Sequence, residues 1–239
     1  MKVLAFDTST EHMSLAVQHG NAVWEHNAVG GAQASATMIG AIEALMQQAG
    51  LSYAQLDAIA FGCGPGSFTG LRTACAVAQG LALGANLHVL PVDTLLIVAQ
   101  EARLQGVQHT HIVAALDARM GEVYANYYEF NSTWHSIHAG ELLKKPEKLS
   151  LPLAWAEHAA CNVLLASNIR PTLDAQLPPE ILALPHLHCL PSARALLALA
   201  PSLIEAGGLV DAAQALPTYV RDKVAQTTAE RQAVRLTAP

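Results

Sequence analysis

Residues 62–70 read GCGPGSFTG, between the apolar run LDAIAF at 56–61 and the almost uncharged LRTACAVAQGLALG at 71–84. Strand, glycine-rich loop and helix in that order are the local pattern of a phosphate cradle in an α/β protein. Two common cradles fail on their residues. A P-loop, GxxxxGK[ST], needs a lysine at its end, and no lysine stands between Lys2 and Lys144. The dinucleotide fingerprint GxGxxG breaks at Ser67, where its third glycine belongs. GPGSF is not GxSxG either, so Ser67 lacks the setting of a nucleophile elbow. What remains is a turn at Pro65–Gly66 and a helix cap from Ser67 or Thr69.

The helix that follows carries one charge, Arg72, and spaces Ala76, Gly80 and Gly84 four residues apart. Such a row makes a smooth ridge that admits close approach of another helix. Each interior glycine costs about 1 kcal/mol relative to alanine, so close packing should compensate. The segment 33–49, QASATMIGAIEALMQQA, reads as a second helix with one charge, Glu43, and ends at Gly50. Together the two helices predict a partner surface made of Met38, Ile42, Leu45 and Met46 with Arg72, Ala76, Gly80, Leu81 and Leu83. Packing inside the same lobe is the competing reading for these residues.

Outside this region, KVLAFDTS at 2–9 is a short buried strand ending in a polar turn, and Gly20–Asn21 marks a hairpin. HIVAALDARMGEVYANYYEF at 111–130 repeats that plan: a strand ending in an acid, a short turn and a returning strand. Asp7 and Asp117 occupy equivalent places. The echo predicts two related lobes, at 1–105 and 106–216, followed by a polar tail at 217–239.

Composition sets the remaining bounds. The 239 residues are 52% hydrophobic and 13% charged, with a net charge of −6, so no general basic field attracts nucleic acid. Arg221, Lys223, Arg231 and Arg235 make the C-terminal end locally basic, which leaves direct nucleic-acid contact by the tail as a minor reading. MKVLAFDTST is neither a signal nor a transit peptide, and no apolar run is long enough to span a membrane. Cys63, Cys75, Cys161 and Cys189 lack metal-ligand spacing, which predicts reduced thiols. His109 with His111, and His186 with His188, each place two imidazoles on one side of a strand, but no acid or cysteine completes a metal site.

LAFDTST, GCGPGSFTGLRTACAVAQGLALG, VDTL, ALDARMGEVYANYY and PTYVRDKV, in that order, closely resemble the TsaB (YeaZ) family of tRNA threonylcarbamoyladenosine biosynthesis proteins. The likeness is strong over residues 1–130, returns at 217–223 and is weak between. It implies an actin-like α/β fold of the sugar kinase and Hsp70 superfamily, with two lobes on mixed five-stranded sheets flanked by helices. It also implies a cytoplasmic, non-catalytic scaffold that dimerises with the catalytic subunit TsaD, acts with TsaE and forms homodimers alone. The two low-charge helices would make the contact, and tRNA would be met through the complex. Asp7, Thr8, Ser9, Thr10 and Asp117 then mark a vestigial or interface nucleotide site, with ATP or ADP and Mg²⁺ at the complex with TsaD and no cofactor for the chain alone. The alternative is an autonomous ATP-dependent kinase or ATPase of the same superfamily. Against it, Ala166–Ile169 reads ASNI where an adenosine-contacting glycine pair is expected.

Overall fold

In the computed structural model, which describes residues 1–31, 34–137, 142–156, 162–170 and 172–221, the first strand is the centre of the first sheet. Strand β1 (Lys2–Asp7) is apolar on both faces and pairs antiparallel with β2 (His12–His19) and parallel with β4 (Ala58–Gly64). Such two-sided burial is what a central strand covered by helices on both faces requires. β3 (Ala22–Val29) continues the hairpin, its two-residue turn held by Gly20 at φ +63°. With β5 (His88–Asp93) and β12 (Val210–Asp211) the sheet order is β12-β5-β4-β1-β2-β3.

The second sheet repeats this centre. β6 (His111–Arg119) pairs antiparallel with β7 (Glu122–Asn131) and parallel with β10 (Val163–Ser167), as β1 does with β2 and β4. β8 (Thr133–Ile137) and β11 (His186–His188) form the edges, and the short β9 (Leu143–Lys144) pairs with β7. Each sheet therefore has six strands, five as expected plus one two-residue strand that no hydrophobic pattern announces.

Helices cover both sheets. α1 (Ala34–Ala49) and α2 (Phe68–Ala85) lie side by side on one face of the first sheet. α3 (Thr94–Leu104) follows β5, capped by Asp93, whose carboxylate accepts from Leu95 N–H at 2.9 Å. It is wedged between the lobes, its Ile97 in the first core and its Leu95, Val98 and Ala102 against Ile112, Ala114 and Tyr128 of the second sheet. After α4 (Leu153–Ala156) and α5 (Pro179–Leu182) comes α6 (Ala193–Glu205), with Pro201 inside it.

Here the structure corrects the expected lobe boundaries. α6 and β12, assigned by sequence to the second lobe, belong to the first: Ala193, Leu196, Leu197 and Ala200 pack on Val3, Ala5, Ala60 and Leu90, and β12 pairs with β5. The chain returns to its starting lobe because the second face of β1 needs more apolar cover than Leu96 and Ile97 of α3 supply. The expected tail also changes character. Its described part, 217–221, is laid across the junction of the lobes, and the rest of it lies outside the described residues.

Candidate functional site: the cleft between the lobes

Both strand-ending acids start turns of the same kind. Asp7 Oδ1 accepts from the N–H and the hydroxyl of Ser9 at 2.9 and 2.7 Å; Asp117 Oδ1 accepts from Arg119 N–H at 2.7 Å. An acid that accepts from the backbone two residues on is the Asx turn, which ends a strand sharply. The duplication read from sequence thus extends to hydrogen bonds.

The two acids differ in exposure. Asp117 faces a cleft of about 430 Å³ together with Ser9, Thr10, Ser67, Asn168 and Arg119. Asp7 is 1% exposed and is absent from that lining. Its Oδ2 is buried without a hydrogen-bond partner among the described residues. Burial pushes its carboxyl up from 3.8 to about 6, against the opposing pull of the two Ser9 hydrogen bonds.

The GCGPGSFTG loop is what covers Asp7. A Cβ at Gly62 would coincide with Asp7 Oδ2, and one at Gly70 would coincide with the carbonyl oxygen of Thr8. Ser67 N–H donates to Ser9 C=O at 2.7 Å, and the Thr8 hydroxyl donates to Gly70 C=O at 2.7 Å. Ser67 caps α2 through a long 3.5 Å bond from Gly70 N–H. The glycines let two backbones touch, which no other residue allows at this distance.

This packing decides the fit of a magnesium nucleotide. A phosphate turn offers free hydroxyls or amides and a carboxylate that reaches the metal through water. Here the Thr8 and Ser9 hydroxyls are donated internally, Thr10 Oγ1 accepts from His12 N–H, and the second oxygen of Asp7 is enclosed. The first turn, as folded, does not fit the group. Nor do the described residues of the cleft set a hydroxyl beside a histidine base. No histidine lines it among the described residues, and burial pushes the nearby Cys63 thiol up to about 11. The described residues contain no group of three histidine, cysteine or acidic side chains that could hold a metal. His111 instead stacks edge-on against Trp155, and His186 sits 3.1 Å from the Ser167 hydroxyl.

Comparison with known proteins agrees with this geometry. The family model described as "TsaD: tRNA N6-adenosine threonylcarbamoyltransferase" matches residues 26–228. The tRNA threonylcarbamoyladenosine biosynthesis protein TsaB of Escherichia coli K12 is 34% identical, over 94% of this chain and 96% of that protein. The chain belongs to the TsaB family. The TsaB of Haemophilus influenzae is 42% identical over 52% of each chain. The solved structure of YeaZ from Pseudomonas aeruginosa superposes with a TM-score of 0.80 and 35% identity, covering 91% of this chain and 99% of that one.

Against this TsaB-family fold the expected partner residues divide in two. Met38, Ile42, Leu45 and Met46 are buried and pack on Leu4, Phe6, Leu15 and Ile59 of their own sheet. They are core residues, because the large apolar side chains of an amphipathic helix are the ones its own sheet claims. The outward face of α1 is instead Ala36, Ile39, Gly40, Glu43 and Ala44. Small residues at 36, 40 and 44 repeat there the 76, 80, 84 row of α2. That signal was present in the sequence and was overshadowed by the larger residues beside it. On α2, Arg72, Ala76, Gly80 and Leu83 are exposed, Leu83 at 79%, while Leu81 is half-buried.

Sequence reasoning also missed the segment 215–221. Ala215 C=O accepts from Gln79 Nε2 and the Cys75 thiol at 2.8 and 3.1 Å, and Thr218 N–H donates to Cys63 C=O at 2.7 Å. The Tyr219 hydroxyl accepts from Arg72 Nε at 2.8 Å, and Arg221 donates to Glu122 Oε2 at 2.5 Å and to Ala118 C=O at 3.2 Å. No hydrophobic period marks these contacts, since most are single hydrogen bonds to backbone carbonyls far away in the chain.

Proposed function

We propose that the chain works in tRNA threonylcarbamoyladenosine biosynthesis as an accessory subunit without chemistry of its own. In this reading it docks on the catalytic subunit TsaD, acts with TsaE in the cytoplasm, meets tRNA through the complex and pairs with itself when alone. The observation that carries the proposal is the contrast between its two candidate surfaces. The first turn of the cleft has its hydroxyls and Asp7 committed internally. The outer faces of α1 and α2 are exposed, low in charge and ridged by small residues, with Ile39 and Leu83 standing clear. Such a face suits close helix contact with another subunit. Any nucleotide in the system is then assigned to the complex.

Gly80→Arg tests this reading. A Cβ at Gly80 meets nothing within 4 Å, so the variant keeps its fold while a charged side chain stands in the centre of the proposed contact. The expected result is loss of co-purification with TsaD and of threonylcarbamoyladenosine in tRNA, with an unchanged melting temperature. A variant that still binds TsaD and supports modification overturns the assignment. Calorimetry of the isolated chain with Mg-ATP separates the kinase alternative, which requires binding without a partner.

A further inference from the structure

The contacts between the lobes are unevenly distributed. At the back of the cleft α3 joins them through a largely apolar seam in which Leu95, Val98, Ala99 and Ala102 meet Ile112, Leu116 and Tyr128, crossed by hydrogen bonds from the Tyr128 hydroxyl to Asp93 at 2.6 Å and from Trp134 Nε1 to Gln100 Oε1 at 2.7 Å. At the mouth the described contacts are polar and few. Arg119 reaches from the second lobe to Glu11 of the first at 3.4 Å, with both side chains half or more exposed, and an ion pair so exposed contributes little. The other crossing is the segment 215–221. It is fixed to the first lobe at Ala215, Thr218 and Tyr219, where the Tyr219 ring also lies 5.4 Å from Phe68 and Arg72 stacks 3.9 Å over Phe68. It reaches the second lobe through Arg221, which is 15% exposed and grips the 117–122 hairpin at Ala118 C=O, Glu122 and Met120 Sδ.

We infer that residues 215–221 form a latch that fixes how far the cleft stands open, with α3 as the hinge and Arg221 as the hook on the second lobe. The hook's energetics differ from those of the Arg119 pair. A charge-assisted bond to a largely buried carboxylate, joined by a carbonyl acceptor, holds a geometry that a solvated pair does not. The hairpin suits the role of keeper. Arg119, Met120 and Gly121 all have positive φ, which turns the Ala118 carbonyl and the Glu122 side chain toward the same guanidinium. Opening of the mouth then requires Arg221 to leave all three partners, while the largely apolar seam permits the small rotation of a hinge.

The test measures the distance between the lobes in the full chain. Spin labels on a ketone-bearing amino acid at Ala198 and Ala175, both exposed, one on each lobe and neither on the proposed partner face, avoid the native cysteines, and excess unlabelled chain removes distances between copies. Pulsed electron resonance should give one narrow distance distribution for the parent chain. Arg221→Gln should broaden that distribution about two-fold or shift its mean, as expected when one of two substates stops being favoured. Glu122→Gln alters the hook from the other side and should broaden it in the same direction. Arg221→Lys, which keeps a charged donor toward Glu122 and Ala118 C=O, should retain at least half of the narrowness that glutamine loses, which a loss of packing would not do. The inference is overturned if the Gln variants leave the distribution unchanged, or if the lysine variant broadens it as much as glutamine does.

Discussion

Replacing Asp7 by asparagine isolates the cost of burying an acid that no longer meets solvent. A folded pKa of about 6 against 3.8 in the free side chain is a shift of about two units. At about 1.4 kcal/mol per unit, the buried carboxylate costs the folded state about 3 kcal/mol once fully ionised. The sign follows from the proton count. Between about pH 4 and about pH 6 the folded chain holds the proton that the unfolded chain has released, so stability falls as pH rises through that window and levels off above it. Asparagine keeps an acceptor for the two Ser9 bonds but puts an amide where Oδ2 has no partner, a fixed cost of about 1–3 kcal/mol. That cost does not depend on pH, and groups common to both proteins cancel in the difference. Urea unfolding of parent and variant followed by circular dichroism should therefore show the variant gaining about 2 kcal/mol relative to the parent between about pH 4 and about pH 7. A difference that stays constant over this range, or moves the other way, refutes the claim that Asp7 is enclosed rather than facing the cleft.

Gly70→Ala should lower the melting temperature by several degrees, because its Cβ coincides with the Thr8 carbonyl, whereas Gly80→Ala meets open space in mid-helix and should be neutral or gain up to about 1 kcal/mol; differential scanning fluorimetry of the pair checks both. Tyr128→Phe removes a 2.6 Å hydrogen bond to Asp93 in the seam between lobes and should cost about 1–3 kcal/mol in urea unfolding. Leu83→Glu should leave stability within about 0.5 kcal/mol, since the side chain is already exposed, while abolishing capture of TsaD in a pull-down.

What sequence made legible was set by period and by repetition. The strand with alternate returns at 2–19 and 111–130, the hairpin at Gly20–Asn21 and the helix launched by Ser67 all follow from local chemistry and all appear as expected. The glycines of 62–70 match neither common phosphate loop, and what they pack against lies in another segment. Gly62 and Gly70 are shaped by Asp7 and Thr8, more than fifty residues away, and no local pattern carries that information. The same limit explains α1. Helical spacing showed that Met38, Ile42, Leu45 and Met46 share a face, not which neighbour that face meets. The mixed origin of the first lobe was hidden for a related reason, because an apolar helix at 193–205 fits either core equally well by composition.

That origin has a consequence for how the protein is made. β1 leaves the ribosome long before Leu196, Leu197 and Ala200, which complete the core over one of its faces. Until then the nascent first lobe carries a row at Val3, Ala5, Ala60 and Leu90 that α3 covers only in part. The whole of the second sheet is synthesised in that interval. Truncations before residue 193 should therefore give an aggregating product rather than a free-standing N-terminal lobe, and shortened versions of the chain should keep residues 193–211 with the first hundred.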